Sequence, residues 1–221
     1  MSDPGNVAGM LTASALVLLM TPGLAFFYGG LVRCKNVIST MMYSYVAMGV
    51  VSVLWVLWGY SLAFGAGGDF IGNFDFVGFK DVSAEGVDGA ISPMLFPIFQ
   101  MMFAIITPAL ITGAFAERFK FTTYIVFLFV WVTVVYVPVT HWVWAPDGWI
   151  AGIGALDFAG GIVVHASAGL AAIVVAKMIG SRRHIDRGVE PHNVPYVLLG
   201  AGLLWFGWFG FNAGSGLLAD S

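Results

Sequence analysis

The chain has 221 residues, of which 59% are hydrophobic and only 10% charged, with a formal net charge of -3 at pH 7. A soluble globular domain carries about 25% charged residues, so this composition, with a mean hydropathy of +0.90, places the chain among polytopic membrane proteins. There is no basic face for nucleic acid, and the lone Cys34 rules out an intrachain disulfide framework and any CxxC metal motif; no nucleic-acid partner, metal or cofactor is expected.

Apolar runs predict six helices, at about 8–32, 37–64, 92–116, 122–143, 157–179 and 195–218. Each is long enough to cross a hydrocarbon core of about 30 Å, which makes the lipid bilayer the first expected partner. The first run reads as a spanning helix rather than a cleaved leader, because Met1-Ser2-Asp3-Pro4 lacks a basic start and the apolar stretch is too long. Cys34, between Arg33 and Lys35 just past that helix, reads as an ordinary terminus residue. The longest loop, Gly65 to Ile91, is rich in Gly and Asp.

Basic residues set the expected orientation. Arg33 and Lys35 follow the first helix, Arg118 and Lys120 the third, and Lys177, Arg182, Arg183 and Arg187 the fifth, so eight of the 9 fall on one side. Lys80 lies on the other side, among Asp69, Asp75, Asp81, Glu85 and Asp88. The N-terminus is therefore expected outside.

Five crossings return the chain to the side opposite its start, so a second five-helix unit beginning at helix six would be inserted upside down, a recurrent transporter and channel architecture. Phe26-Phe27-Tyr28-Gly29-Gly30 in helix one is echoed by Phe209-Gly210-Phe211-Asn212-Ala213-Gly214 in helix six. The expected organisation is one incomplete all-α transmembrane domain over 1–221. Residues 1–180 form a first five-helix repeat, and 195–218 the first helix of an inverted second repeat.

Ionisable groups at membrane depth are costly and mark pathways or proton-handling sites, which draws attention to Asp157 and His165. Eight residues apart on a regular helix, they would lie about 12 Å apart along the axis and roughly 80° apart around it. Asp157 would then cap the outer helix end, or shape a site there. His165 is either a satisfied core histidine or a pore residue that can donate and accept along a dry path. The small residues around it, Gly160, Gly161, Ala166, Ser167, Ala168 and Gly169, permit close packing or leave room for a lumen. Phe103, Trp144 and the aromatics of helix six, Trp205 to Phe211, are lipid-facing or packing residues unless several converge at one mouth, where they would form a cation–π site.

Four segments together resemble the ammonium transporter family (Amt/Mep/Rh), its Amt branch in particular. They are Thr21-Pro22-Gly23-Leu24-Ala25-Phe26-Phe27-Tyr28-Gly29-Gly30-Leu31-Val32-Arg33, Gly113-Ala114-Phe115-Ala116-Glu117-Arg118, the run from Asp157 to His165, and Trp208 to Ser215. The resemblance implies an outer vestibule recruiting ammonium ion at the positions of Phe103, Trp144 and Ser215. It implies a gate of two stacked rings at Phe103 and Phe211, and an apolar pore with paired histidines, of which His165 matches the first. Trp208, Phe27 and Tyr28 match wall positions near the lumen, and Asp157 matches an acidic residue that stabilises the vestibule.

The function so implied is ammonium transport across the plasma membrane: the ion sheds a proton and continues as NH3, with or without a relayed proton, and methylammonium serves as its analogue. The resemblance also implies a homotrimer and a possible PII-type regulator on the cytoplasmic face. Family chains are roughly twice as long, and the second pore histidine lies in their other half. His141 is expected at the outer mouth, with His184 and His192 flanking the basic loop, so none of them supplies that partner. The chain is therefore read as a fragment or split half that does not conduct alone. Two other classes stand beside transport. One is an ammonium sensor of the same fold; the other is an intramembrane enzyme, disfavoured because no nucleophile motif, HExxH or second clustered carboxylate accompanies Asp157 and His165.

Overall fold

The computed structural model describes residues 3–85, 91–182, 188 and 190–219. Among these residues the regular structure is helical throughout, with no strand. Six helices are long and apolar enough to cross a membrane: α1 (Pro4–Leu31), α2 (Cys34–Phe64), α3 (Leu95–Phe115), α4 (Phe121–Gly152), α5 (Gly161–Ile179) and α6 (Val194–Ala213). The protein is a multi-pass membrane protein. Of the residues invoked for orientation and for the histidine count, Asp88, Arg183, His184 and Arg187 lie outside the described residues.

Local chemistry sets the helix ends. The Asp3 carboxylate accepts the Asn6 N–H at 3.0 Å and Pro4 follows directly, so α1 starts with a side-chain cap and a proline whose missing N–H has no helical partner to lose. Asn193 does the same for α6, accepting the Tyr196 N–H at 3.0 Å. Four boundaries differ from the sequence expectation by four residues or more. In two of them, α1 begins at Pro4 rather than 8 and α4 runs to Gly152 rather than 143. Helix α5 begins at Gly161 rather than 157, and α6 ends at Ala213 rather than 218, where Gly214 and Gly216 lead into turns and Leu217 takes φ 61.

Four of the spans contain a π-helical turn: Trp55–Gly59 in α2, Val132–Tyr136 in α4, Gly161–Ala166 in α5 and Phe209–Ala213 in α6. In α4 the cause is close at hand. Pro138 has no N–H to return to the carbonyl four residues back, and the wider turn just before it absorbs the break.

Helix α3 is the most buried of the six and packs against α1, α2 and α5. Helix α1 also packs against α2, and the most extensive contact is between α1 and α6. It is a backbone-to-backbone approach: a Cβ placed on Gly210 would stand 2.7 Å from the Ala13 carbonyl oxygen, and one on Gly214 would stand 2.6 Å from the Ala13 Cβ. Such contact through small residues is how helices associate where lipid removes the hydrophobic incentive. Helices α5 and α6, by contrast, keep Leu170, Ile173, Trp205 and Phe206 exposed.

The segment after α2 is fixed to the far end of α4. Trp142 Nε1 donates to the Phe70 carbonyl at 2.7 Å, and the Trp149 N–H donates to the Asp69 carbonyl at 3.0 Å. Ser61 Oγ donates to the Asn73 carbonyl at 2.8 Å and accepts the Phe76 N–H at 2.9 Å.

Candidate functional site

Asp157 lies before α5, not within it. Its Oδ1 accepts the N–H groups of Gly160 (2.6 Å) and Gly161 (2.8 Å), and its Oδ2 those of Ile162 (2.8 Å) and Val163 (2.9 Å). One carboxylate thus satisfies the donors that the first turn of a helix leaves without partners. The turn requires glycine at 160, where φ is 96 and a Cβ would meet Val164 Cγ2 at 2.6 Å. The spacing expected of a regular helix from 157 to 165 therefore does not apply. The chain curls back over the helix end, and its Asp157 carbonyl accepts Trp144 Nε1 at 2.9 Å.

That bond seats Trp144 beside a cavity of about 470 Å³ whose lining includes Phe99, Gln100, Phe103, Trp144, Asp157 and Ser215. The Trp144 ring meets Phe103 edge-on, with centroids 5.7 Å apart and planes at 88°. Ser215 Oγ donates to the Phe211 carbonyl at 2.8 Å, which spends its one proton and leaves oxygen lone pairs to accept. Gln100 was not among the residues expected at the site, but it is buried at the cavity edge and its Oε1 has no hydrogen-bond partner among the described residues. A lone amide in an otherwise apolar run was the available signal.

Beyond the cavity the aromatic rings continue as a series of contacts. Phe103 and Phe211 are both buried, with centroids 4.4 Å apart and planes at 47°. The His165 imidazole follows, 6.0 Å from Phe211 with planes at 26°, and Trp208 lies 6.4 Å from Phe211. Residues from α3, α4, α5 and α6 and from the segments after α4 and α6 therefore meet along one path.

Phe27 and Tyr28 stand apart from this group. Gly200 packs against the Phe27 backbone while Gly210 packs against Ala13, so Phe27 is about 15 Å further along the bundle than the Phe211 turn, at 1.5 Å per residue. Their rings lie 5.8 Å apart, and the Tyr28 hydroxyl donates to the Leu110 carbonyl at 2.9 Å.

His141 is fully buried, with Nδ1 2.8 Å from the Ala63 carbonyl and Nε2 2.6 Å from the Gly68 carbonyl. Asp147 Oδ1 lies 4.0 Å from Nε2. This imidazole ties α4 to the end of α2 and does not line the aromatic cavity. His192 is exposed, edge-on to Tyr196 at 6.3 Å. Among the described residues no group of three His, Cys, Asp or Glu could hold a metal ion.

The sequence matches the model of the family described as Ammonium Transporter Family over residues 8–221. It is 50% identical over 218 residues to an ammonium transporter of Bacillus subtilis strain 168, covering 98% of this chain and 54% of that one. The crystal structure of Candida albicans Mep2 superposes with a TM-score of 0.90 at 38% identity, covering 99% of this chain and 50% of that one. A structure titled Sensor Amt Protein superposes with a TM-score of 0.89 at 33% identity, covering 98% and 56%. The chain thus spans about half the length of the relatives it matches.

Proposed function

The chain belongs to the ammonium transporter family, and from that premise we propose that it supplies the recruiting mouth and one pore histidine of an ammonium transporter in the cell membrane. The observation that carries this is the line Trp144–Phe103–Phe211–His165, closed at one end by the cavity that also holds Ser215 and Asp157. A cation entering the cavity meets two aromatic rings and the Ser215 oxygen, a set worth about 2 kcal/mol or more when desolvated. The Phe103–Phe211 pair then blocks passage of an intact ion, because burying an unpaired charge costs far more than the rings return. Ammonium escapes this cost by releasing a proton and continuing as NH3, which the His165 imidazole can hydrogen-bond as donor or acceptor. The whole protein transports rather than transforms its substrate.

In this assignment the mouth faces outward, the basic loops face the cytoplasm, and Asp157 serves the site by holding the start of α5. Residues 1–180 form the first five-helix repeat, and α6 opens an inverted second one. Phe27, Tyr28 and Trp208 line the path, a homotrimer is the assembly, and a PII-type regulator docks on the basic face. The structural likeness to a protein titled a sensor favours ammonium sensing as the second reading; there the same mouth binds ammonium and flux is absent.

The test is methylammonium uptake by proteoliposomes of the whole natural protein. Trp144→Leu should raise KM about tenfold or more with little change in maximal rate. An unchanged KM would remove Trp144 from recruitment, and absence of any uptake by wild type, with ammonium still bound, would favour the sensor.

A further inference from the structure

The contact between α1 and α6 does not stop where α6 ends. Cβ atoms placed on Gly207, Gly210 and Gly214 would meet Leu16 and then Ala13, and beyond the helix one placed on Gly9 would stand 3.5 Å from the Ala219 Cβ. The start of α1 therefore runs alongside the segment that follows α6. A hydrogen bond joins them: Asn6 Oδ1 accepts the Ala219 N–H at 2.7 Å, across 213 residues of sequence. In the first turn of a helix an Asn side chain commonly bonds to its own backbone. Here Asp3 supplies the cap and takes up the Asn6 N–H at 3.0 Å, which leaves the Asn6 amide to reach outside the helix.

The segment held in this way is strained, and it carries part of the mouth. The N–H groups of Ser215, Gly216 and Leu217 close turns onto the carbonyls of Asn212 (3.2 Å), Ala213 (3.1 Å) and Gly214 (2.9 Å). Leu217 takes φ 61, a left-handed conformation that a residue with a Cβ keeps only where the surrounding structure imposes it. Ser215 and Leu217 both line the aromatic cavity. On the upstream side the constraint is the end of α6; on the downstream side it is Asn6. Without the second anchor the strained turn can relax, and the Ser215 oxygen moves with it.

We infer that Asn6 is a positioning residue of the mouth: its side-chain oxygen holds the turn over residues 214–219 against α1 and so keeps the Ser215 hydroxyl at the cavity. The inference rests on the reading of Ser215 as a recruiting group. Asn6 itself lines a different groove, with Gly9 and Ala219, so it acts on an arriving ion through the turn and not by contact.

The measurement is methylammonium uptake by proteoliposomes of the whole natural protein, with amide exchange of the same variants. Asn6→Ala should raise KM about threefold, the effect of losing one hydrogen bond, with the maximal rate unchanged. It should also speed exchange at residues 217–219 but not within α6. A variant that merely folds poorly lowers the maximal rate and leaves KM alone. Asn6→Asp keeps the accepting oxygen and should restore both KM and exchange. Thr12→Ala, which removes a hydroxyl bonded within α1, should match wild type. Ser215→Ala should raise KM by itself, and adding Asn6→Ala to it should change KM little further. A wild-type KM in Ser215→Ala overturns the reading of Ser215, and this inference with it. With KM raised in Ser215→Ala, three results overturn the inference alone: a wild-type KM in Asn6→Ala, an Asn6→Asp that behaves like Asn6→Ala, or an equal rise in Thr12→Ala. Effects of the Asn6 and Ser215 variants that simply add also overturn it.

Discussion

The imidazole of His165 lies almost parallel to the ring of Phe211, with centroids 6.0 Å apart and planes at 26°. Phe211 is in turn 4.4 Å from Phe103, so the histidine, exposed on its own side in this half-length chain, adjoins a pair of packed phenyl rings. On the path proposed above it would meet a solute that has already lost its water.

Replacing His165 by Ala should therefore change what crosses rather than whether the protein folds. Losing one hydrogen-bonding partner on a dry path costs about 1–3 kcal/mol, so methylammonium flux should fall about tenfold or selectivity against potassium should decline. Flux and selectivity both at wild-type values in proteoliposomes would remove His165 from the pore.

Asp157→Asn should be costly to stability. An amide offers one oxygen where the carboxylate serves four N–H groups at 2.6–2.9 Å, and it brings an NH2 toward donors. About 2–3 kcal/mol of stability should be lost, read as a lower unfolding midpoint and as faster amide exchange confined to residues 160–163. Unchanged exchange there would show that the cap is not what holds the start of α5.

Glycines on α6 should separate by position. Gly210→Ala would drive a Cβ to 2.7 Å from the Ala13 carbonyl oxygen, whereas Gly202 has nothing within 4 Å of its Cβ position. The first should cost about 1–3 kcal/mol by overpacking; the second should be neutral or gain up to about 1 kcal/mol from helix propensity. Unfolding in detergent measures both, and equal effects would mean that the α1–α6 contact is looser than the structure has it.

Acid should release the basic end first. Burial would raise the Glu117 pKa, but the bonds from Asn36 and Arg33 outweigh that and hold the carboxyl below its ordinary range. Its contribution is therefore complete above the usual glutamate pKa of about 4.3 and is lost as pH falls further, through the folded value. Wild type should thus lose stability faster than Glu117→Gln on acidification below about pH 4, while the two run parallel above about pH 5. A parallel course throughout would mean that the Arg33–Glu117–Asn36 cluster contributes no proton-linked stability.

All six spans were visible in the sequence because each apolar run is longer than a bilayer is thick, and nothing else in the chain imitates that signal. The site was less visible. Leu156-Asp157-Phe158-Ala159 looks like the start of a helix by hydropathy, and only the Gly160 φ and the four bonds to Asp157 show that it is a cap. His141 was expected at the outer mouth; what spacing could not show is that a segment 73 and 78 residues away in sequence brings the Gly68 and Ala63 carbonyls onto its ring. Gln100 is marked by its missing hydrogen-bond partner, which depends on tertiary structure. Phe103, Trp144 and Ser215 come from different parts of the chain, and their meeting at one cavity could be anticipated by likeness to a family but not from spacing.

The wide turn over Gly161–Ala166 has a further consequence for the pore. A π-helical turn holds one residue more than the α-helical turn it replaces. Deleting a single residue between 161 and 164 would let α5 close into ordinary geometry, and relative to the Asp157 anchor everything beyond would swing by about 100°. The histidine would keep its neighbours in sequence and lose its neighbour in space, Phe211. The length of this short segment, as much as the identity of residue 165, decides what the imidazole faces.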